Sequence, residues 1–407
     1  MKETVIIIGT GQAGGMAAIY LRQKKYSGNI IIIGEEDYLP YQRPPLSKSF
    51  LSKKIDRSKL FLKSADYYSR NNIEIITKTK VTKIIKTNQY VITNNNEKIN
   101  YDHLIIATGS SLNKFQSNNK SIFYLKTLND SLKIRKQLKP GKTLSIIGGG
   151  YIGLELASIA IQNNLNVTIL ESDRKLMGRV VSKEVSSFFE KKHRSMGVSI
   201  KFNSQVTGIE KNDNGNIVIC NDGSEYSSDL VFAGIGVKPN IEIAADAGIK
   251  CDNGISVNEY GQTSDESIYA AGDCTNHPNI ILNTKLRLES VHNAIEQSKT
   301  VANKIIGINK SYNQVPWFWS DQYNLKLQIA GINSDDNIRY KILRDEQSLS
   351  VVYLRDSRII CVESVNRPQD FIAGKKLILS QKRIPNNLIE HEDCGLKEIL
   401  KKISINS

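Results

Sequence analysis

The sequence of 407 residues predicts an α/β protein made of two similar βαβ-type domains, followed by a C-terminal α+β domain. A strand, a glycine-rich turn and a helix follow one another at residues 5–25, and the same order returns at residues 144–163. Beyond Pro316 the pattern changes to alternating strands, for example at residues 325–330 and 349–354, without another glycine-rich turn.

The first glycine-rich turn reads Gly9-Thr10-Gly11-Gln12-Ala13-Gly14 and opens a helix. In a dinucleotide fingerprint the first glycine allows the tight turn, the second lets phosphates approach the backbone, and the third lets helix and strand pack closely. The helix N-terminus offers unsatisfied N–H groups to a pyrophosphate. The next strand, residues 30–33, is followed by Glu35, an acid suited to a ribose hydroxyl, which completes a Rossmann-like unit.

The second turn reads Gly148-Gly149-Gly150-Tyr151-Ile152-Gly153. The strand at residues 167–170 then ends at Glu171. A carboxylate there accepts a hydrogen bond from a ribose 2′-hydroxyl and repels a 2′-phosphate, so NADH is expected in preference to NADPH. Arg174 and Lys175 follow closely and would weaken that repulsion.

The rest of the sequence predicts the other strands and helices and the bounds of the domains. Strands are predicted at residues 73–76, 80–85, 89–93, 104–107, 198–202 and 230–232, with a hairpin around Asn214-Gly215 and helices at 183–195 and 289–306. The strand at 268–270 leads into Ala271-Gly272-Asp273. We predict a first dinucleotide-binding domain in two segments, 1–110 and 237–315, a second at 111–236, and a C-terminal domain at 316–407.

Composition excludes fewer classes of function than the motifs do. Lys+Arg 55 against Asp+Glu 41 give a formal net charge of +14, which would attract nucleic acid, an anionic membrane or an acidic protein. Coding bias explains the abundance of lysine, asparagine and isoleucine equally well. No run suits a signal peptide or a membrane span, so a cytoplasmic protein is expected.

The cysteines argue against thiol and metal chemistry. Cys220, Cys251, Cys274, Cys361 and Cys394 form no C-x-x-C pair, and none precedes Cys220. A redox-active dithiol, an iron-sulfur cluster and a zinc site are therefore not expected. Redox chemistry would have to come from bound cofactors.

Besides the first glycine turn, five further motifs stand out: Arg43-Pro44-Pro45-Leu46-Ser47-Lys48, Ala107-Thr108-Gly109, Gly148 to Glu155, Ala271-Gly272-Asp273 and Trp317-Phe318-Trp319-Ser320-Asp321-Gln322. Together these motifs resemble the NADH-dependent ferredoxin, rubredoxin and putidaredoxin reductases that supply electrons to oxygenases. The resemblance covers nearly the whole chain and implies a glutathione-reductase-like flavoprotein with FAD, NAD and C-terminal domains. It implies FAD for the first dinucleotide-binding domain and NAD for the second.

The resemblance also implies which residues bind the cofactors. FAD would extend along the first domain, with its adenosine ribose on Glu35 and its pyrophosphate and ribityl region near Asp273. The other cofactor-binding residues expected are Gly9, Gly11, Gln12, Ala13, Gly14, Arg43, Lys48, Val81, Ala107, Thr108, Gly109, Arg135, Gly148, Gly150, Tyr151, Ile152, Gly153, Glu171, Gly236, Val291 and Trp319.

Lys48 and Glu155 are the expected catalytic pair. In the family the lysine lies beside the reducible edge of the flavin and pairs with the glutamate of the second fingerprint helix. An acid at that inward helical position needs a partner, because burial of an unpaired charge is costly. We predict that the pair orients the nicotinamide and tunes the flavin, while Trp319 packs by the isoalloxazine and excludes water. His292 is expected to be structural.

The predicted reaction passes electrons from NADH through FAD to a small acidic iron-sulfur protein, a ferredoxin or a rubredoxin. The protein would be a monomer or a weak homodimer that binds neither nucleic acid nor membrane. Rubredoxin reduction and the reductase part of nitrite reduction stay open. The alternative is a flavin-bearing NADH-binding protein similar to apoptosis-inducing factor with a nucleic-acid or protein-binding role, although basic clusters such as residues 191–194 are short.

Overall fold

A computed structural model of the chain describes residues 2–115, 121–213, 215–333, 339–345, 347–390 and 395–405. The described chain forms two compact units. The first combines Met1–Arg43, Arg57–Ser111 and Lys238–Trp317, and the second combines Pro44–Asp56, Leu112–Val237 and Phe318–Ser407.

The strands of the described residues, in chain order, are β1 Thr4–Ile8, β2 Asn29–Ile33, β3 Ile73–Ile76, β4 Val81–Ile85, β5 Tyr90–Thr93, β6 Lys98–Asn100, β7 His103–Ile106, β8 Ser110–Leu112, β9 Ile122–Phe123, β10 Thr143–Ile147, β11 Asn166–Leu170, β12 Ser199–Lys201, β13 Val206–Asn212, β14 Gly215–Cys220, β15 Glu225–Ser228, β16 Leu230–Ala233, β17 Val237–Pro239, β18 Ile255–Ser256, β19 Ile268–Ala270, β20 Thr275–Asn279, β21 Thr284–Leu286, β22 Trp317–Gln322, β23 Leu325–Gly331, β24 Arg339–Arg344, β25 Leu349–Arg355 and β26 Arg358–Val365.

The helices are α1 Gln12–Gln23, α2 Ala65–Arg70, α3 Leu128–Gln137, α4 Tyr151–Gln162, α5 Lys183–Ser195, α6 Glu242–Asp246, α7 Val291–Ile305, α8 Pro368–Ser380, α9 Asn386–Glu390 and α10 Leu396–Ile405. Short 3-10 turns occupy Pro44–Ser47 and Arg57–Leu60.

A parallel sheet of order β19-β7-β1-β2-β3 forms the centre of the first unit. Its middle strands are nearly continuous runs of isoleucine, as expected where both faces of a parallel sheet are covered. α1 packs against α7, and their apolar side chains share one core with the sheet. All five strands run the same way, so their carboxyl ends meet along one edge.

The second unit repeats this plan with the parallel order β12-β11-β10-β16-β9. β13, β14 and β15 lie between β12 and β16 in the chain and form a separate antiparallel sheet. The C-terminal part is the antiparallel sheet β22-β23-β26-β25-β24, against which α8 packs. The fold class predicted from the sequence, α/β with two Rossmann-like domains and a C-terminal α+β domain, is confirmed.

The element bounds differ from the prediction mainly at the ends. α7 begins at Val291 rather than two residues earlier, because the Ser290 side chain accepts a hydrogen bond from the Asn293 backbone N–H and caps the helix. The predicted hairpin is formed by β13 and β14, while Asn214 itself lies outside the described residues. The three-domain boundaries stay a prediction.

Within the described ranges, no helix has the length and apolar character needed to cross a membrane. Cys220, Cys251, Cys274 and Cys361 are free thiols, whereas Cys394 lies outside the described residues. Burial raises the pKa of Cys274 to about 11. A thiol held in its protonated form is a poor nucleophile, so this cysteine is unsuited to disulfide exchange.

Candidate functional site

The first glycine turn has the close backbone packing that only glycine permits. Gly9 adopts φ +117°, and a Cβ at this position would lie 2.2 Å from the Ala107 carbonyl oxygen. A Cβ on Gly14 would lie 2.0 Å from the Gly9 carbonyl oxygen. Gly11 is different, since nothing lies within 4 Å of the position its Cβ would take. The open space is therefore at the glycine expected to face phosphate.

The N-terminus of α1 fits an anion. Gly11 caps the helix without a side-chain hydrogen bond, and the first turn contains no acid. The first N–H groups of a helix and the positive end of its dipole favour a negative ligand at this place. The helix N-terminus therefore fits the pyrophosphate of FAD. Gln12 Oε1 is buried and makes no hydrogen bond within the described residues, so it leaves an acceptor for an N–H or hydroxyl donor of a ligand.

Further residues that are expected to bind FAD lie at the carboxyl edge of the same sheet. The Ser110 hydroxyl donates to Asp273 Oδ2 at 3.0 Å. The Thr108 hydroxyl donates to the Asn240 carbonyl oxygen at 2.7 Å, and Asn240 Nδ2 returns a bond of 2.8 Å to the Thr108 carbonyl. Gly109, with φ +67°, accepts from the Asn240 backbone N–H. The loop after β7 is thus tied to the segment that precedes α6.

Two charged residues expected at FAD have partners of their own in the first unit. Glu35 is exposed and lies 3.5 Å from Lys80 Nζ. Arg43 Nη2 lies 2.6 Å from Glu36 Oε1, and Asp273 also interacts electrostatically with this guanidinium. Glu36, which the sequence analysis did not single out, therefore holds Arg43.

Two apolar residues that are expected to contact FAD lie at the starts of a strand and a helix. Val81 lies in the buried core at the start of β4, and Val291 forms the first turn of α7.

The second glycine turn repeats the first. Gly148 adopts φ +97°, with a Cβ position 2.7 Å from the Gly234 carbonyl oxygen, and a Cβ on Gly153 would lie 2.3 Å from the Gly148 carbonyl oxygen. Gly150 again has nothing within 4 Å of its Cβ position. It caps α4 without a side-chain bond, and no acid occupies the first turn. The turn therefore fits a second dinucleotide phosphate.

Glu171 lies at the end of β11 beside this turn. Its Oε2 accepts from the Gly149 backbone N–H at 2.6 Å, and its Oε1 accepts from the Asp173 backbone N–H at 2.8 Å. The nearby Lys175 ammonium donates to the Val181 carbonyl oxygen, so it is engaged within its own loop. Gly236, with φ +94°, accepts from the Asn113 backbone N–H at 3.0 Å.

The first turn of α4 carries two expected NADH contacts. Ile152 is 40% exposed, which is high for so apolar a side chain. The Tyr151 ring packs edge-on to Phe318 at 4.7 Å. Burial raises the pKa of Tyr151 well above its usual value, so its hydroxyl stays protonated.

Lys48 Nζ lies 2.7 Å from Glu155 Oε1 inside the second unit. Glu155 is 1% exposed and receives two further donors, the Ser47 hydroxyl at 2.5 Å and the Ser320 hydroxyl at 2.6 Å. The 3-10 turn that precedes Lys48 is itself held, because the Ser131 hydroxyl of α3 donates to the Leu46 carbonyl oxygen. The carboxylate is thus buried with a charge partner and two hydrogen bonds.

The remaining expected residues lie on nearby elements of this unit. Arg135 of α3 places its guanidinium 5.2 Å from the centre of the Phe50 ring. Trp319 is partly buried on β22. Side chains alternate along a strand, so Trp319 points to the face opposite Ser320 and Gln322.

Sequence reasoning missed the side chains that surround Glu155. Ser47 and Ser320 lie within motifs already singled out, and the alternation of β22 could have paired Ser320 with Gln322 on one face. No local signal marks His193, whose Nε2 lies 2.8 Å from Gln322 Oε1. Only the fold brings α5 to this strand.

The family comparisons agree with this geometry. A profile described as pyridine nucleotide-disulphide oxidoreductase matches residues 3–298, and one described as reductase C-terminal matches residues 317–400. The chain is 38% identical to putidaredoxin reductase CamA of Pseudomonas putida, with 98% of this chain and 97% of that protein covered. It is 37% identical to rhodocoxin reductase of Rhodococcus erythropolis, with 97% and 93% covered.

A solved structure gives the same result. The reductase in a crystal structure of the covalent putidaredoxin reductase–putidaredoxin complex matches with a TM-score of 0.95 at 37% identity, covering 99% of each chain. With matching profiles along most of its length and relatives of this similarity, the chain belongs to the pyridine nucleotide-disulphide oxidoreductase family.

Proposed function

We propose that the protein is an FAD-dependent NADH reductase that delivers electrons to a small iron-sulfur protein serving an oxygenase. The observation that carries this proposal is the pair of helix N-termini at Gly11 and at Gly150, each without a side-chain hydrogen bond from the cap and with open space where a side chain would lie. Each unit thus offers one dinucleotide phosphate site. The related reductases of putidaredoxin, rhodocoxin and rubredoxin support the direction of electron flow.

FAD, when bound, supplies the conversion of two-electron into one-electron chemistry. The residues of the first unit would bind and orient it. The α1 N-terminus would hold its pyrophosphate, Gln12 Oε1 would accept from one of its N–H or hydroxyl donors, and Asp273, fixed by Ser110, would face its ribityl region. Glu35 would accept from its adenosine ribose.

NADH is proposed in preference to NADPH. The Glu171 carboxylate is held beside the second glycine turn by the Gly149 N–H, where it would repel a 2′-phosphate. The nearby Lys175 ammonium donates to the Val181 carbonyl oxygen. Lys48 and Glu155 are proposed to orient the nicotinamide.

An acidic ferredoxin or rubredoxin is the proposed acceptor, because the chain carries a formal charge of +14 and opposite charge accelerates association. A cytoplasmic location and a monomeric or weakly dimeric state are proposed with it. The relative in the covalent complex is bound to putidaredoxin, which is consistent with an acceptor of this class.

The test is a panel of acceptors assayed with the purified yellow protein, using NADH and NADPH separately. We expect rapid reduction of at least one acidic ferredoxin or rubredoxin with NADH, slower reaction with NADPH, and a rate that falls as salt rises, since screening weakens steering. A duplex DNA binding assay at physiological salt serves as the contrasting arm. Slow reduction of every acceptor together with tight DNA binding would favour the apoptosis-inducing-factor-like alternative.

A further inference from the structure

A chain of hydrogen bonds extends from Glu155 through the interior of the second unit. The Ser320 hydroxyl donates to Glu155 at 2.6 Å, and Gln322 Nε2 donates to Ser320 Oγ at 3.1 Å. Gln322 Oε1 lies 2.8 Å from His193 Nε2, and His193 Nδ1 lies 3.1 Å from the Tyr323 hydroxyl. Ser320, Gln322 and His193 are fully buried.

The chain has one consistent direction. An ionised Glu155 carboxylate only accepts, so the Ser320 proton points to it and the Ser320 oxygen accepts from the Gln322 amide nitrogen. The Gln322 oxygen must then accept, which places a proton on His193 Nε2. His193 Nδ1 is left to accept from the Tyr323 hydroxyl. Every donor therefore points towards the carboxylate.

The protonation states keep this direction fixed. Burial lowers the pKa of His193 to about 4, with the Gln322 hydrogen bond opposing the shift and Lys192 adding to it. Burial raises the pKa of Tyr323 above its usual value, so its hydroxyl keeps its proton. A neutral imidazole has one donor and one acceptor, and both are used here.

We propose that Ser320, Gln322 and His193 are positioning residues that fix the Glu155 carboxylate and, through it, the Lys48 ammonium. This inference rests on the proposed role of the Lys48–Glu155 pair. The Gln322 amide neither takes up nor releases protons near neutral pH, so the chain orients the carboxylate and does not conduct protons. Connected buried networks of this kind hold a single geometry because a broken member leaves others unsatisfied.

The first experiment compares Ser320→Ala and Gln322→Leu with Ser350→Ala. Ser350 is a matched control, because it is also fully buried in the C-terminal sheet but bonds to Ser364 and Asp370. In rapid mixing with NADH, the limiting rate of flavin reduction should fall about 10-fold in Ser320→Ala, by the loss of one hydrogen bond to a charged group. The NADH concentration at half-maximal rate should change less, and Ser350→Ala should match the wild type.

A second readout does not depend on turnover. Trace acetylation followed by mass spectrometry should label Lys48 several-fold faster in Ser320→Ala and Gln322→Leu, relative to Lys299, which pairs with Glu296 elsewhere in the chain. In wild-type protein, histidine-selective nitrogen-15 NMR at pH 7 should show His193 as the neutral Nε2–H tautomer. Because this measurement needs no variant, it tests the inference even if a substituted protein fails to fold.

Unchanged flavin reduction and Lys48 labelling in Ser320→Ala would overturn the inference, as would an Nδ1–H or a charged His193 in the wild type. If wild-type flavin is not reduced by NADH, the proposed function fails instead. In that case, Lys48 labelling and the His193 tautomer still test whether the hydrogen-bond chain fixes Glu155 and Lys48, because neither measurement needs NADH.

Discussion

At the scale of single residues, glycine has two separate uses in the fingerprints. Gly9 and Gly148 hold positive φ values and leave no room for a Cβ, so they are required by the protein's own backbone. Gly11 and Gly150 have ordinary negative φ and open space in front of them. Packing within the protein does not require glycine there, and we infer that a bound dinucleotide phosphate does.

This distinction gives a prediction. Gly11→Ala should fold like the wild type but bind FAD at least about 10-fold more weakly, because its methyl group occupies the space for phosphate. Gly150→Ala should retain FAD and instead raise the Kd for NADH. The measurements are flavin content and FAD titration by fluorescence, then NADH titration of the FAD-loaded proteins.

The two variants are each other's control, since each leaves the other turn intact. Undiminished FAD affinity in Gly11→Ala, or an equal loss of FAD in both variants, would contradict the assignment of one site to each turn.

At the scale of elements, the N-terminus of α5 depends on a buried carboxylate from the C-terminal sheet. Ser182 caps α5 by accepting from the Val185 N–H, and its own hydroxyl donates to Glu363 at 2.6 Å. Glu363 is 1% exposed and also accepts from the Tyr353 hydroxyl. Burial raises the pKa of Glu363, and the hydrogen bonds from Ser182 and Tyr353 act against that rise. One capping serine therefore links the start of α5 to the C-terminal sheet.

Ser182→Ala is predicted to lower the free energy of unfolding by about 2–3 kcal/mol, because it removes the cap and also deprives a buried carboxylate of a donor. Ser64→Ala is the matched control: Ser64 caps α2 by accepting from the Tyr67 N–H and lies on the surface, so its loss should cost about 1 kcal/mol. Urea unfolding measures both. Equal losses in the two variants would show that Glu363 adds nothing to the cap.

At the scale of the whole molecule, the chain buries histidines that stay neutral. Among the described residues, His193 in the second unit is 0% exposed and His277 in the first is 1% exposed. Neither ring nitrogen of His277 has a hydrogen-bond partner in the described chain, and its ring packs against Tyr312 at 4.9 Å. Burial lowers the pKa of both histidines to about 4.

Stability should therefore fall as pH falls from 6.5 to 4. In this window the unfolded histidines bind protons and the buried ones do not, so protons favour the unfolded chain. Each histidine contributes on the order of 3 kcal/mol, fully present above pH 6.5 and lost as the pH approaches 4. Asp222, Asp229 and Asp345 have pKa values lowered below 3.8, so their contribution is lost only in more acidic solution.

Thermal unfolding midpoints between pH 7 and 5 measure this effect. His277→Phe keeps the aromatic contact with Tyr312 and removes the titration, so its midpoint should fall less over this range than that of the wild type. Parallel curves for the two proteins would show that His277 does not remain neutral in the fold.

The two glycine turns show which features a local sequence pattern can predict. Gly9 to Gly14 and Gly148 to Gly153 each follow a short buried strand and open a helix, and both form the predicted strand, turn and helix. Their chemistry is contained in a few consecutive residues, because helix N–H groups and strand periodicity are short-range properties. The fold class and the two dinucleotide turns were therefore available from the sequence, and the resemblance added Lys48, Glu155 and Trp319.

Tertiary structure decided the partners of those residues. Ser47, the pair Ser320 and Gln322, and His193 come from three separate elements, and their hydrogen bonds to Glu155 or to one another depend on how the 3-10 turn, α4, α5 and β22 pack. The same holds for Glu36 at Arg43 and for Glu363 at the start of α5. A sequence thus determines by itself what is local in backbone geometry, whereas the satisfaction of a buried charge requires donors that only the folded chain brings within reach.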